Sequence, residues 1–289
     1  MDNRTRGAVL IFTLWATAVL ATVTIAQATR LSLQSRYASK SRDLQESWFL
    51  AESAVQAASQ VLSEDKNSWD SDKESWAQEP SKPVVLGPGS FLYKVRDEQA
   101  LLPLNTLSKE FLLRLPGFNE FSVQALLARR AEGKTIVHVG ELRTMAGYDV
   151  SKLEELVPLV TVYGSGPVNL NTASRPVLET FQLSKSLVDS MESFRVGRDG
   201  IAGTGDDGFF ERVDLEEISS KLLNSVGYLL TPEDVTLFST LLQGGAPMLG
   251  VASGWFRVTV EGRVARSGVQ TKVEAVVDRA GKIGGWNES

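Results

Sequence analysis

The sequence predicts an α+β fold: a long N-terminal helix packed on a small antiparallel sheet, with a large helical domain inserted between the strands. Three observations predict it. Residues 8–67 contain neither Pro nor Gly, so nothing interrupts a helix there. Apolar and polar residues alternate in 91–96 and again within 255–278, which is typical of half-buried strands. Between these runs, residues 97–243 show helical spacing and capping residues.

The chain begins with a short basic stretch, Arg4-Thr5-Arg6-Gly7, and an uncharged apolar run follows from Ala8 to Thr29. At about 1.5 Å per residue, a helix of that length crosses the roughly 30 Å hydrocarbon core of a bilayer. A glycine followed by a small residue marks the change in polarity. This pattern predicts a prepilin-type leader that is cut between Gly7 and Ala8, leaving the apolar helix on the mature protein.

Two other interpretations of this run are open. Ala26-Gln27-Ala28 fits the cleavage site of a secretory signal peptide, although the run exceeds the roughly 7–15 apolar residues of such peptides. The run could also be an uncleaved single-span anchor. Basic residues lie on both sides of it, so the positive-inside rule does not decide. The prepilin interpretation is favoured because the helix continues unbroken beyond Thr29.

Composition excludes several kinds of chemistry. The 289 residues carry a net charge of −5, which disfavours binding to nucleic acid through its phosphates. The absence of cysteine excludes disulfides, iron–sulfur clusters and Cys-based zinc sites. His138, the only histidine, lies in an apolar context that indicates a structural role. Because the sequence has no nucleophile-elbow or P-loop motif, we expect no enzyme activity.

Beyond Thr29 the helix becomes amphipathic, because its apolar residues recur at spacings of four and three and so share one face. They are Leu44, Trp48, Ala51, Val55, Ala58 and Leu62. The small side chains of Ala51 and Ala58 predict close packing against a sheet or another helix rather than a coiled coil. A polar loop, 63–83, follows, and we expect Trp69 and Trp76 to fold back onto the domain.

The inserted domain contains an internal repeat. Residues 102–108 (Leu-Pro-Leu-Asn-Thr-Leu-Ser) and 168–174 (Val-Asn-Leu-Asn-Thr-Ala-Ser) share the segment Leu-Asn-Thr-x-Ser. In each copy the Thr or the Ser is a candidate helix N-cap.

Residues 115–118 predict a turn between two helices. This turn raises a DNA-binding interpretation, because helix–hairpin–helix modules bind DNA backbones with such turns. These modules need exposed glycines and surplus basic residues. Only Gly117 is present, and the seven acidic and seven basic residues of 104–163 cancel.

A loop rich in glycine and aspartate follows the second copy. Residues 199–208 contain four glycines and three aspartates, a composition that excludes a regular element. Asp199, Asp206 and Asp207 predict a site for a hard cation such as Ca²⁺, whose preferred ligands are oxygen atoms. The spacing does not match an EF-hand loop, and a flexible surface turn with solvated aspartates is the alternative.

The chain closes with two alternating runs, around Val258 and Val273, that Arg266-Ser267-Gly268 joins into a predicted β-hairpin. The predicted segments are, in order, a leader (1–7), a transmembrane segment (8–29), the soluble half of the long helix (30–66), a loop with the first strands (67–96), the inserted helical domain (97–245), the C-terminal β-hairpin (246–282) and a tail (283–289).

Four features in this order resemble the K-type minor pseudopilins of type II secretion systems (general secretion pathway protein K). They are the leader with Gly7, the helix continuing into Trp48-Phe49-Leu50-Ala51-Glu52, the paired Leu-Asn-Thr-x-Ser segments and the closing hairpin. The resemblance covers nearly the whole chain. It implies a pilin-like body that carries a helix–hairpin–helix or SAM-like domain, cleavage after Gly7 by prepilin peptidase, N-methylation of Ala8, an inner-membrane anchor and a periplasmic soluble part.

The resemblance also implies partners and an ion. The partners are the I-type and J-type minor pseudopilins at the tip of the pseudopilus, the inner-membrane assembly platform, and the secretin or a secreted substrate, with no nucleic acid. Calcium binding in the helical domain is a property of the family, and the loop with Asp199, Asp206 and Asp207 matches it by composition. The alternative function is that of a membrane-tethered helix–hairpin–helix protein of DNA uptake.

Phe12 occupies the fifth position of the predicted mature chain, where most pilin-like proteins carry Glu. A carboxylate in a membrane is costly unless it is paired, and in pilins it is thought to pair with the terminal amine of a neighbouring subunit. K-type pseudopilins resemble this chain in lacking that Glu, and a subunit at the tip has no neighbour above it. The first mature residue, Ala8, differs from the Phe that is usual in pilins.

Overall fold

The computed structural model describes residues 3–80, 82–242 and 248–288, with side chains from Leu10 onward. One helix, α1 (Asn3–Glu64), spans the whole apolar run and continues into the soluble part, which confirms the predicted unbroken helix. Among the described residues, one helix is apolar and long enough to cross a membrane. Within its Leu10–Glu64 portion, an 18-residue stretch has a mean hydropathy of 1.8 and is not buried.

The last third of α1 packs on a sheet, but its buried face is rotated from the predicted one. The buried apolar residues of this face are Leu50, Ala51, Ala54, Val55, Ala58 and Leu62. Leu44, predicted in the stripe, is 46% exposed, because the positions that face the sheet there are Asp43 and Ser47. Asp43 accepts a hydrogen bond from Arg266 Nε (2.9 Å), and the hydroxyl of Ser47 lies 2.6 Å from that of Thr271.

The body of the protein is a five-stranded antiparallel sheet in the order β1-β2-β7-β8-β9. Its strands are β1 (Val84–Leu86), β2 (Gly89–Asp97), β7 (Trp255–Val264), β8 (Gln270–Asp278) and β9 (Ile283–Glu288). The predicted hairpin is β7–β8. Residues 283–288, predicted as a tail, form the fifth strand, since β9 continues the sheet with Ala275 opposite Trp286. This strand cannot be recognised from the sequence pattern, because Gly284 and Gly285 remove the apolar alternation.

The body has its own core, in which α1 lies across β2, β7 and β8. The helix approaches closely because its contact residues are small and because Gly262 lies beneath it. A Cβ at Gly262 would meet the backbone of Ser47 and Ala51. Trp76 is 1% exposed and packs edge-on against Phe256, which confirms that the 63–83 loop folds back onto the sheet.

The insert runs from the end of β2 to the start of β7 and has a separate core. Its helices are α2 (Lys109–Leu112), α3 (Glu120–Ala131), α4 (Leu153–Leu156), α5 (Arg175–Thr180), α6 (Lys185–Arg195), α7 (Leu215–Val226) and α8 (Pro232–Leu242). Its short strands are β3 (Leu102–Pro103), β4 (Val160–Thr161), β5 (Val168–Asn169) and β6 (Leu249–Gly250). Short 3-10 helices cover Glu98–Ala100, Val139–Thr144, Val150–Lys152 and Val157–Leu159.

The insert is built from two copies of one unit. Residues 102–161 (the first copy) begin with β3 and end with β4, and residues 168–250 (the second copy) begin with β5 and end with β6. Each copy closes by parallel pairing of its first and last strands. The repeated Ser residues, Ser108 and Ser174, are the N-caps of α2 and α5. The internal repeat seen in the sequence therefore marks a duplication of the whole unit.

The predicted boundary between insert and hairpin, at residues 245 and 246, lies outside the described residues. On its C-terminal side, β6 pairs with β5 and so belongs to the insert. The hairpin itself begins at Trp255, later than predicted. Because the insert leaves the sheet after Asp97 and returns before Trp255, which lie on adjacent strands, both of its connections to the body are close together.

Candidate functional site

An asparagine side chain closes each copy in the same way. Asn105 Oδ1 accepts a hydrogen bond from the backbone N–H of Ile136 (2.8 Å), and Asn105 Nδ2 donates to the carbonyl of the same residue (2.9 Å). Asn171 makes the same pair of bonds with Phe210, at 2.8 and 2.9 Å. Ile136 and Phe210 are therefore equivalent positions, and they show where the two copies differ.

The difference is the length of the segment that precedes the clamped residue. In the first copy, four residues (132–135) separate α3 from Ile136. In the second copy, fourteen residues (196–209) separate α6 from Phe210. This longer segment contains the predicted ion site. We call residues 196–209 the acidic loop.

The acidic loop brings its three aspartates together, with one carboxylate oxygen of each within 4.8 Å of the others. Asp206 Oδ2 accepts hydrogen bonds from the backbone N–H groups of Arg198 (2.7 Å) and Asp199 (3.2 Å). Asp199 Oδ1 accepts from the N–H of Ile201 (2.8 Å). The loop thus folds around its own acidic side chains, which holds the oxygens in one region.

Asp207 anchors the middle of the acidic loop and is its one buried aspartate. Its Oδ2 accepts from the N–H of Gly203 (2.6 Å), and the Thr204 hydroxyl donates to Asp206 Oδ1 (2.9 Å). That hydroxyl, followed by the N–H of Arg198, holds the pKa of Asp206 below its usual value. Asp206 is therefore ionised at neutral pH and available to a cation.

The donor set fits a hard cation. Three carboxylates offer up to six oxygen atoms, and Ca²⁺ takes roughly six to eight oxygens in flexible geometry. The basic side chain of Lys73 donates from Nζ to the carbonyl of Gly205 (2.7 Å) instead of to a carboxylate. Asp199, Asp206 and Asp207 are the residues that would hold the ion, and the sequence prediction named the same three.

A second group of carboxylates, Asp65, Asp70 and Glu74, also comes within 4.8 Å. This group differs from the aspartates of the acidic loop because a basic side chain already lies among its carboxylates. Arg279 Nη1 donates to Asp65 Oδ2 (2.9 Å), and Nη2 pairs with Asp70. The guanidinium supplies the positive charge that an ion would bring, so this group is a structural cluster and not a candidate ion site.

The three N-terminal site residues lie in α1. Gly7 and Ala8 are part of the continuous helix, and their side chains lie outside the described ones. Phe12 is 74% exposed and lies beside Trp15 on an apolar face. From Leu10 to Thr29 this helix contains no charged side chain. The structure does not test the cleavage itself.

His138 and the turn at Gly117 have structural roles. His138 caps a 3-10 turn, since its Nδ1 accepts from the N–H of Gly140 (2.9 Å), and its exposed position is the part that sequence reasoning missed. Gly117 has a φ of +82°, and a Cβ there would meet the ring of Tyr148. Gly117 is therefore needed for the turn and for the close packing of Tyr148, which explains its presence without a bound DNA backbone.

Sequence reasoning missed the wider equivalence between the copies, although the sequence carries a signal for it. Gly147-Tyr148 and Gly227-Tyr228 follow equivalent turns, and both glycines have a positive φ. Glu141 Oε1 accepts from the N–H of Val137 (2.8 Å), and Glu217 Oε1 accepts from the N–H of Glu211 (2.6 Å). Each acceptor bonds the residue immediately after the clamped position.

The fold is similar to that of a chain in a solved complex. A chain of the crystal structure of the GspK-GspI-GspJ complex from the type 2 secretion system of enterotoxigenic Escherichia coli superposes with a TM-score of 0.59 and 18% sequence identity. The match covers 88% of this chain and 99% of that one, so it includes both body and insert. No protein-family model and no curated protein sequence matches the chain. At this identity the similarity is one of fold, and it confirms the predicted α+β architecture.

Proposed function

We propose that the protein is a non-enzymatic minor pseudopilin of the K type, which acts at the tip of the type II secretion pseudopilus and helps to initiate its assembly for export across the outer membrane. The observation that carries this proposal is the shared fold. The similarity covers 99% of a chain from a pseudopilin complex, including the insert that an ordinary pilin-like body would not need. Fold alone does not fix function, so the N-terminal features provide the second line of support.

The N-terminal helix gives the proposed location. Its apolar run is long enough to span a bilayer, and it joins the sheet without a break. A protein with this anchor would remain in the inner membrane with its body and insert in the periplasm. Prepilin peptidase would cut between Gly7 and Ala8 and methylate the new terminus. The assembly platform would then extract the helix into the pseudopilus.

Phe12 supports a position at the tip. A subunit within a pilus shaft has a neighbour whose terminal amine can pair with a carboxylate at this position, and a tip subunit has none above it. The I-type and J-type minor pseudopilins are the proposed partners, as the complex that contains the similar chain combines proteins with these designations. The insert would face the secretin or a secreted substrate.

Mass determination of the mature N-terminus tests the proposal most directly. The expected product begins at Ala8 and carries one methyl group. A chain that begins at Thr29 would be a secreted protein without an anchor, and an uncut chain would be an ordinary membrane anchor. Either result would overturn the pseudopilin proposal.

Co-purification of the full-length protein with I-type and J-type pseudopilins tests the partners. Phe12→Glu should lower the yield of the ternary complex, because it places an unpaired carboxylate in the membrane. Phe12→Leu, the matched control, should leave the yield unchanged. Equal yields for the two variants would count against the tip position.

We propose Ca²⁺ as the ion of the acidic loop. An ion that binds only the folded state stabilises it by about 2.7 kcal/mol at a hundredfold excess over Kd. Thermal unfolding in excess Ca²⁺ should therefore occur at a higher temperature than in chelator, and Asp206→Asn should remove the difference. Asp149→Asn in the first copy is the control that should retain it. No shift in the unmodified protein would overturn the ion site.

DNA binding is the alternative that needs a direct test. The turn at Gly117 suggested it, but the packing of Tyr148 accounts for this glycine and the charges around it cancel. A DNA shift assay at two salt concentrations separates the proposals. Tight, salt-sensitive binding by the full-length protein in detergent would favour a role in DNA uptake over one in secretion.

A further inference from the structure

A buried polar cluster connects the insert to the body, and neither the assembly role nor the ion site uses it. Asp97, at the end of β2, is 7% exposed. Its Oδ2 accepts hydrogen bonds from Asn169 Nδ2 (2.8 Å), Thr172 Oγ1 (2.5 Å) and Ser253 Oγ (2.7 Å). Its Oδ1 accepts from the N–H of Gln99 (2.8 Å). One carboxylate thus fastens the second copy and the returning chain to the sheet.

Asp70 lies next to Asp97 and is fully buried. Its Oδ2 accepts from the N–H of Ser253 (2.6 Å), the residue whose hydroxyl bonds Asp97. Its Oδ1 pairs with Arg279, in the turn after β8. The carbonyl of Asp70 accepts from Asn171 Nδ2 (3.0 Å), which ties the clamp of the second copy to the same segment. Asp70, Asp97, Asn169, Thr172 and Ser253 are called the joint below.

Acidic side chains outnumber basic ones at the joint. Asp70 faces Asp97 and shares the guanidinium of Arg279 with Asp65. Glu74, on the same segment as Asp70, also faces Asp65. The groups bonded to Asp97 are all uncharged. Within the part of the chain that the structure describes, Arg279 is the one basic side chain paired with these carboxylates.

The joint also borders a route for water. A cleft of about 1090 Å³ lies between the outer face of the sheet and the insert. Asp97 and Thr172 line it, as do Glu98 and Arg257. If the insert moved away from the sheet along this cleft, the carboxylates of the joint would become hydrated.

We propose that the joint is a proton-linked lock: the insert docked on the body takes up protons at Asp70 and Asp97, and undocking releases them. Burying two neighbouring carboxylates beside one shared guanidinium leaves uncompensated negative charge, and a bound proton removes it. The docked arrangement is therefore more stable in mild acid than at neutral or alkaline pH.

The direction follows from the titration of the two groups. Burial raises the pKa of Asp70 to about 6 and also raises the pKa of Asp97. Once hydrated, both carboxyls return towards the ordinary value of about 3.9. Docking then binds protons at pH values between the hydrated and the buried pKa, and stability is lost as the pH rises through the buried value. For Asp70 alone, the ratio of docked to undocked protein should rise about fivefold from pH 6 to pH 5.

The absence of native cysteine allows a direct distance measurement. Gln56, on α1, and Asn224, on α7, are both exposed. Spin labels on Gln56→Cys and Asn224→Cys in the full-length protein in detergent report the position of the insert relative to the body. We expect a single narrow distance distribution at pH 5 and a broader or second distribution at pH 7.5.

Variants identify the groups responsible. Asp70→Asn should remove most of the pH dependence, and Ser253→Ala, which deletes the hydroxyl that donates to Asp97, should broaden the distribution at both pH values. His138 lines the same cleft, so His138→Gln tests its imidazole, and Asp149→Asn is a remote carboxylate control. Both controls should keep the pH dependence. Identical distributions at the two pH values, or a pH dependence that survives Asp70→Asn and vanishes in His138→Gln, would overturn the proposal.

Discussion

The two copies of the insert share one design but contact the rest of the protein differently. Each copy closes with an asparagine clamp and a parallel strand pair. The second copy alone contributes Asn169 and Thr172 to the joint, and the carbonyl of Gly205 in its acidic loop accepts a hydrogen bond from Lys73. Trp69 stacks on Phe209 at the end of that loop, 4.0 Å between ring centroids. The second copy is therefore attached to the body through the joint and through the end of its acidic loop.

The first copy has fewer attachments. Its Thr161 hydroxyl donates to Glu98 (2.6 Å), and Tyr163, just beyond it, packs near Trp255. The cleft is lined by residues of this copy, such as His138 and Leu153, by the sheet, and by Thr172 of the second copy. Two units of the same architecture therefore differ in how strongly they are attached to the body.

The clamp asparagines give the largest expected difference between the copies. Asn171 is 3% exposed and also bonds the carbonyl of Asp70, whereas Asn105 is half-buried. Asn171→Ala leaves buried N–H and C=O groups unpaired on two elements and should cost about 3 kcal/mol, and Asn105→Ala about 2 kcal/mol. Chemical unfolding of both variants measures the difference. Equal losses would mean that the contact with the body adds nothing to the clamp.

Glu217 and Glu141, which accept hydrogen bonds from the residue after each clamped position, give a smaller and pH-dependent difference in stability. Burial opposes ionisation of Glu217, but the bonds from Lys221 and the N–H of Glu211 outweigh it and lower its pKa to about 2. Its stabilisation is present above the ordinary value of about 4.3 and is lost as the pH falls towards 2. Glu217→Gln should cost about 2 kcal/mol at pH 7 and progressively less towards pH 2.

Glu141 is the matched position in the first copy, with a side chain 31% exposed against 8% for Glu217. Its pKa is also lowered, because Arg129 and two backbone N–H groups outweigh the effect of burial. Glu141→Gln should lose stability with the same sign and a smaller magnitude, since solvent competes for its bonds. Unfolding measured from pH 7 to pH 2 tests both variants. A larger loss for Glu141→Gln would contradict the expectation that the more buried glutamate contributes more to stability.

The sequence predicted those parts of this design that depend on local pattern. The unbroken helix, the hairpin and the opening of the repeat follow from residues that are neighbours in the chain, and the structure confirms them. The rotated face of α1 was missed because Asp43 and Ser47 are buried by partners more than 200 residues away, Arg266 and Thr271. Apolar periodicity cannot reveal polar residues that bury themselves through distant bonds.

Of the two groups of polar residues described above, the ion site was predictable from the sequence and the joint was not. Asp199, Asp206 and Asp207 could be named because they lie within nine residues of one another. The joint could not, because Asp70, Asp97, Asn169 and Ser253 come from four distant segments. The extent of the duplication was hidden by the ten additional residues of the acidic loop. They change the spacing between equivalent positions of the two copies from that point onward. Only the pairs Gly147-Tyr148 and Gly227-Tyr228 remained as a visible trace.

The turn after the first helix of each copy gives the smallest expected effect. Gly117 has a φ of +82°, and Gln182, after α5, has a φ of +63°, the one positive value among the described residues that are not glycine. A side chain in this region costs roughly 1–2 kcal/mol, part of which glycine returns through its larger entropy in the unfolded chain. Gln182→Gly should therefore stabilise the protein by about 0.5 kcal/mol. Gly117→Ala should destabilise it by more than 1 kcal/mol, because it adds a clash with Tyr148 to the backbone strain. If thermal unfolding showed both variants destabilised, Gln182 would contribute contacts that outweigh its strain, and the turn of the second copy would belong to its specialised surface.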